Sequence, residues 1–526
     1  MSNTNVTFVD YVTPVTAAWL NNVNAVVNSS AAVPSIAQLR LTSSTNATFA
    51  IVNGYTTVGD GGGGVYAFNA ADVTSADNGG TIIVGNDGGR WYLQHNNAVS
   101  VKQFGATGNG STDDTSTIQN AINVAQLTGA ELYFPPGTYQ YTTLSITGSI
   151  KISGAGRNAT FFHQNSTTNV GIVVNTPSPV IFEGIFFYPI GTPTAGAAIS
   201  LTASTSNTES VFRDCSFAGN YIGIETIAAA QWVVDSCYFS QYIATGILVQ
   251  NTTTADSGDS DVVDCLFSSS GNSAQGILQY SSGGLKISNT KFIGGGYGYL
   301  LQLAVGAATS DLLFSNCSLE NHTVAAIDIS RQGSSGTFAN IVVNGCQFAP
   351  ASGGIPMSFG DFTAGWLSGV VVNGCNITIT NATAIFINDV AVFNVTGNNF
   401  LGVGASQNGI TIAAGASNGT IGPNTYNNLG NPINNSSVST AIVPRTVTGT
   451  VNISCTTGEG SIFVGTQVVT LPGGVFQSAP VATGSITAGN GISVGYSTSS
   501  PSAVTLFATA AVSGTVTVSY VISAPY

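Results

Sequence analysis

The chain has 526 residues, of which 10 are Lys or Arg and 23 Asp or Glu, a net charge of −13. Only 6 % are charged, against about 25 % in an ordinary soluble domain. Its 43 % hydrophobic content, with 26 Phe and 18 Tyr, excludes disorder, and its few scattered cations exclude the basic stripe of a nucleic-acid-binding protein.

Length argues for several domains or one long repeat. No apolar run is long enough to insert into a membrane, and the start carries no charged and apolar secretory leader. In residues 1–30, Thr13-Pro14 precedes Trp19, Leu20, Val23, Val26 and Val27, which predicts a short amphipathic helix with an N-cap and a proline at N1. Residues 31–98 change to brief alternating runs such as Val65–Phe68 and Thr81–Val84, separated by Gly/Asp/Asn turns, and predict a small β domain. Its Gly59-Asp60-Gly61-Gly62-Gly63-Gly64 is a φ-positive turn rather than a phosphate loop, because no Lys-Ser/Thr follows and a strand comes next.

Residues 99–139 contain Val99-Ser100-Val101-Lys102-Gln103-Phe104-Gly105-Ala106, Gly108-Asn109-Gly110-Ser111-Thr112-Asp113-Asp114-Thr115 and Leu132-Tyr133-Phe134-Pro135-Pro136-Gly137-Thr138-Tyr139. Between them Ile118, Ile122 and Ala125 form one helical stripe that Asp113 or Asp114 caps, suited to covering the open end of a stack of coils.

The chain then repeats every ~26 residues. One series runs Cys215, Cys237, Cys265, Thr290, Cys317, Cys346, Cys375 and Asn398, each followed two residues on by Phe, Leu or Ile. A second runs Ile199, Ile224, Ile247, Ile277, Tyr299, Ile327, Ile355, Ile385 and Ile410. Alternation within both has period 2, so the unit is built of strands. Asp214, Asp264, Asn289, Asn316, Asn344 and Asn373 predict a stacked Asx turn before the first series.

Three short strands per period make the fold class all-β, a right-handed parallel β-helix over 99–439 with its coils at 130–435, less regular from 130 to 200, and Cys, Phe and Ile inside. The seven cysteines have no CxxC pair and no metal-ligand spacing, and are expected to be free buried thiols. Residues 440–526 lose the repeat and predict a C-terminal β-sandwich for trimerisation or sugar binding.

The motifs of 99–139 resemble the opening of pectate-lyase-like β-helices of bacteriophage tailspikes. The front of the chain adds to the likeness through Trp19-Leu20-Asn21-Asn22-Val23-Asn24, Gly54-Tyr55, Gly59-Asp60-Gly61-Gly62 and Asn86-Asp87-Gly88-Gly89-Arg90-Trp91, which look like virion-attachment segments of short-tailed phage spikes. The resemblance implies a homotrimer in the virion tail, assembled in the host cytoplasm and anchored to tail adaptor proteins through its N-terminus. It implies binding of host surface polysaccharide, with cleavage by many such proteins, and it carries over no active site. The rival readings are an adhesion fibre without activity and a free pectate-lyase-like enzyme.

Glycoside cleavage needs two carboxylates, and a lyase needs a base and a charge stabiliser. The outward neighbours of the second series are Ser200, Glu225, Leu248, Leu278, Leu300, Asp328, Pro356, Phe386 and Thr411, of which Glu225 and Asp328 alone are acidic. They lie four coils, roughly 19 Å, apart. The densest ionisable cluster is Glu320, His322, Asp328 and Arg331. It is either a local salt bridge or a site in which Glu320 and Asp328 form the carboxylate pair, with Glu225 in reserve and His322 and Arg331 holding the sugar. Tyr297, Tyr299 and Trp366 are candidates for stacking on sugar rings. Asp256, Asp259, Asp261 and Asp264 read as a solvated loop or a source of calcium ligands, and no metal site or cofactor is assigned.

Overall fold

A computed structural model describes residues 30–43, 47–202, 209–250, 258–280, 283–361, 365–436, 446–455, 463–470, 481–488, 491–500, 503–510 and 514–523. The predicted N-terminal helix, with Trp19 and Leu20, lies in residues 1–29, outside the described residues, as does Asp256. The chain divides into two compact units, 1–144 with 149–163, and 145–148 with 164–526.

The first unit opens with a five-stranded sheet ordered Ser30–Val33, Phe49–Val52, Gly64–Asn69, Arg90–Leu93, Ile82–Val84. Its first pair is parallel and the others are antiparallel. Tyr66, Ile83 and Trp91 fill its buried side. The Gly/Asp loop is a tight turn, as expected: Gly59 and Gly61 have φ +84°, and the Asp60 carboxylate accepts the backbone N–H groups of Tyr55, Thr56, Thr57 and Gly62 at 2.8–2.9 Å. Burial alone would raise the Asp60 pKa, but these four donors hold it below the usual carboxylate range.

Helix Thr115–Thr128 buries Ile118, Ala121, Ile122, Val124 and Ala125. Asp114 stands at its N-cap without a capping hydrogen bond, because its carboxylate instead accepts from the backbone N–H groups of Thr107 and Gly108. Asp113 accepts from the Thr115 N–H at 2.9 Å. The aspartates are structural, as the sequence implies, but they share the work differently.

The second unit is a parallel solenoid. One sheet runs from Val180–Glu183 through Val211–Arg213, Val233–Asp235 and their successors to Gly419–Ile421, each strand pairing in parallel with the next. A second set follows the Cys series, and its Phe217, Phe239, Phe267, Phe292, Leu319, Phe348, Ile377 and Phe400 stand in one register. Consecutive rings from Phe187 to Phe292 are stacked with centroids 4.6–5.0 Å apart, which is the rise of one coil. The third set carries Ile199, Ile224, Ile247, Ile277, Tyr299, Ile327, Met357, Ile385 and Ile410.

Two details of the repeat are corrected. Met357, not Ile355, stacks on Ile327, so the outward neighbour of that coil is Ser358 and not Pro356. The Pro350–Gly354 connection is long enough to set Ile355 opposite Ala325. The left-handed turn residue is the one directly before the Cys position: Asp214, Ser236, Asp264, Asn289 and Asn316 have φ of 49–55°, and the next coils use Gly345, Gly374 and Gly397. Asn344 and Asn373 therefore precede the turn residue, and their amides are hydrogen-bonded to each other at 3.3 Å.

Cys215, Cys237, Cys265, Cys317, Cys346 and Cys375 are free and buried. Cys215, Cys237 and Cys265, and after the Thr290 coil Cys317, Cys346 and Cys375, stand one coil apart, within the ~4.4–6.8 Å Cα range of a disulfide, yet burial pushes the thiols of Cys237 and Cys265 well above their usual pKa. A thiol held neutral is a poor nucleophile. Titration of protein unfolded without reductant should therefore find these thiols reactive, and two or more bridges among them would contradict the stack.

After residue 445 two antiparallel sheets of three strands appear, 446–455/514–523/481–488 and 463–470/503–510/491–500. Ile453, Val518 and Ile522 of one sheet and Val504, Leu506, Ala508 and Ala510 of the other are buried, the pattern of a sandwich.

Candidate functional site

Strand Ala325–Arg331 sets Ile327 and Ile329 inside the coil, so Asp328 between them points outward. In register on either side are Leu300 and Ser358. Leu300 continues into Leu278 and Leu248, which point away from the coil interior but are only 4–8 % exposed. Ile222, Tyr280 and Tyr297 pack over them. The three leucines are thus a satellite core within the protomer rather than the exposed patch their outward position suggests.

Asp328 lies at one end of this apolar strip. Burial pushes its pKa up to about 6, opposed by a hydrogen bond from Ser358 and by the Ile329 backbone N–H. Tyr297, half-buried, has its phenol pKa raised by burial and then by the Asp328 charge. At the other end Glu225 accepts from Ser200 Oγ at 2.9 Å and from Gln250 Nε2 at 2.7 Å. A half-desolvated carboxyl that titrates near 6 is suited to proton transfer at neutral pH.

The predicted cluster does not assemble around it. Glu320 binds Lys291 Nζ at 3.1 Å and Ser318 Oγ at 2.7 Å, and Ser318 first, with Lys291 behind it, holds its pKa down. The groups that act on Asp328 do not include Glu320 or Arg331. Four of the expected sugar contacts are corrected by burial. His322 is fully enclosed, and desolvation pushes its pKa down to about 4. Tyr299 is inside the coil, donating its hydroxyl to Gln279 Oε1 at 2.5 Å. The side chain of Arg331, 3 % exposed, is bound through Nε to Asp361 Oδ2 at 2.9 Å and lies 5.2 Å from the ring centroid of the buried Trp366. That pair neighbours Asp389, another buried carboxyl, whose pKa is raised by burial and by Asp361.

His322 and Asp328 make opposite demands on stability as pH falls. The folded imidazole resists protonation, so between about 6.5 and 4 the unfolded chain binds more protons and folding weakens, by on the order of 3 kcal/mol below pH 4. Asp328 binds its proton more readily folded than unfolded, so between about 6 and 3.8 it strengthens folding by a similar amount. The two offset each other in the parent. In Asp328→Asn the His322 loss should stand unmasked, visible as a steeper fall in melting temperature from pH 7 to 4; equal slopes in parent and variant would contradict the assignment.

Sequence reasoning missed Ser358, Tyr280 and Gln250. Ser358 was recoverable only by allowing the Pro350–Gly354 turn to shift the register.

With this geometry in place, comparison with known proteins gives three family matches. Residues 32–96 match the phage tail protein small four-stranded β-sheet domain, residues 98–184 the rhamnogalacturonase A/epimerase, pectate lyase-like family, and residues 197–364 the right-handed β-helix region. The matches thus set a segment similar to a phage-tail β-sheet domain ahead of segments similar to pectate-lyase-like proteins and to the right-handed β-helix. Among solved structures, the tailspike protein of Acinetobacter phage vB_ApiP_P1 is 13 % identical over 94 % of this chain and 98 % of its own, with a TM-score of 0.57. The tailspike gp49 of Acinetobacter baumannii bacteriophage Fri1, a capsular polysaccharide depolymerase, is 12 % identical over the same shares, with a TM-score of 0.49. At this identity the likeness to the vB_ApiP_P1 tailspike is one of fold.

Proposed function

We propose that the protein is the receptor-binding spike of a phage tail and that it recognises and depolymerises bacterial surface polysaccharide. The tail-domain match of residues 32–96 supports placement in the virion, and the fold shared with a phage tailspike agrees with it. The observation that carries cleavage is Asp328, an outward carboxyl poised near pH 6 beside Tyr297. In this reading Asp328 protonates the leaving oxygen, Tyr297 lines the sugar, and Glu320 and Glu225 are the other carboxylates available. Incubating the protein with capsule or lipopolysaccharide of a susceptible host should release new reducing ends or unsaturated products.

One observation favours a second reading, adhesion without cleavage. Glu320 is committed to Lys291, and Glu225 stands four coils, roughly 19 Å, from Asp328, so neither of these two carboxylates pairs with it. Binding without product from a susceptible host is the result that selects this reading. Glu320→Gln separates the two further: it should cost less than tenfold in turnover if Glu320 serves only Lys291, and far more if it is the base.

Assembly as a homotrimer, joined to the virion through adaptor proteins, belongs to the same proposal. Its support is the first solenoid sheet, where Val211 and Val233 form one outward apolar stretch and Leu313, Val342 and Val371 another, all half-exposed, with Asp261 and Lys286 in register between the two stretches, on a chain with 6 % charge. Light scattering should return about three times 53.3 kDa, and a soluble monomer would contradict it.

A further inference from the structure

A pocket of about 280 Å³ lies within the first unit, between the tail-domain loop that carries Tyr55, Thr56, Thr57 and Asp60 and the segment from Lys102 to Asn109. Its walls are fixed by close backbone approach. Gly105 has φ +96°, and a Cβ there would come within 2.5 Å of the Tyr55 ring. A Cβ on Gly62 would meet the Lys102 carbonyl oxygen at 2.2 Å. Asp60 spends its carboxylate on four backbone N–H groups, close to the four acceptor positions a carboxylate has. Its acceptor positions are therefore filled by the loop.

Lys102 is different. Its ammonium donates once, to the Thr107 carbonyl oxygen at 2.9 Å, and lies 6.0 Å from the Tyr139 ring centroid. An ammonium has three donors, so two remain. Five other cations are matched by carboxylates, Arg40 with Asp77, Lys151 with Glu131, Arg213 with Asp235, Lys291 with Glu320, and Arg331 with Asp361, and Arg90 is held by the carbonyl oxygens of Ser75 and Gly88. Among the described residues Lys102 has no such partner, although the chain carries a net charge of −13.

We infer that this pocket is a docking site for an acidic side chain of a virion tail protein, whose carboxylate pairs with Lys102 while its stem lies against the Tyr55 ring. Size suits a peptide side chain: at about 280 Å³ the pocket stands at the small end of ordinary ligand sites, ~300–1,000 Å³, with room for one acidic residue. Location favours it as well, since four lining residues belong to the stretch that matches the phage-tail domain. The inference rests on the reading of the protein as tail-borne.

The test uses the full chain and tail particles prepared without their spike. Lys102→Gln, which removes the charge, and Thr57→Trp, which fills the pocket, should each weaken attachment by about tenfold to a hundredfold. Lys102→Arg should retain attachment, and all three should digest or bind polysaccharide and melt as the parent does. Attachment of Lys102→Gln and Thr57→Trp at parental affinity overturns the inference and leaves the tail-borne reading standing. Loss of binding to a uronic-acid polysaccharide with unchanged attachment also overturns it, making the pocket a sugar site. A parent that does not attach overturns both.

Discussion

Asp328→Asn should lower polysaccharide cleavage by about 10²–10⁴-fold, the range expected when a general acid is removed, and leave binding within a few-fold of the parent. Asparagine keeps the size and the hydrogen bond with Ser358 but has no proton to give. In the parent, activity that depends on the protonated carboxyl should fall as pH rises through about 6, where Asp328 ionises, and the residual activity of the variant should lack that limb. At pH 7 the variant should be at least as stable as the parent, since an ionised carboxylate no longer has to be held against the apolar strip. Ser358→Ala tests the same site from its neighbour: Ser358 holds the Asp328 pKa down, so its loss should move the limb upward in pH. If Asp328→Asn digests polysaccharide at the parental rate, Asp328 is not the acid.

The repeat was readable because each coil must bury the same positions. Cys, Phe and Ile recur at intervals fixed by the path around one coil, and Asx or Gly must supply the left-handed turn before each Cys. That logic breaks where connections vary in length, which is why Ile355 was placed where Met357 stands. The site was less legible for a related reason. Sequence proximity grouped Glu320, His322, Asp328 and Arg331, but in a solenoid the neighbours of a side chain lie one coil away, about 26 residues along the chain. Glu320 therefore meets Lys291 and Arg331 meets Asp361, each partner from an adjacent coil. His322 follows the turn residue Asn321, at φ 60°, and is buried where alternation alone left its side undecided. Outward position also failed to mean exposure, since Tyr280 and Tyr297 cover the leucine strip.

Phe239→Ala should be the most destabilising single truncation in the solenoid, at about 3–5 kcal/mol. The ring is fully buried and sits between Phe217 and Phe267, with centroids 4.8 and 4.6 Å away and planes within 8°, so its removal opens a gap on two stacked neighbours at once. It also faces Gly223, whose missing side chain makes room for it: a Cβ there would lie 2.9 Å from the Phe239 ring. Phe239→Leu should cost much less, since the same column accepts Leu319 and Ile377 in other coils. Because each coil touches only its neighbours, the damage should begin locally. Amide hydrogen exchange in Phe239→Ala should rise first in strands Ser216–Ala218, Tyr238–Ser240 and Leu266–Ser269, while strands near Asn376–Thr378 keep parental protection. A loss of less than about 1 kcal/mol, or exchange rising evenly along the solenoid, would show that the aromatic stack does not hold these coils together.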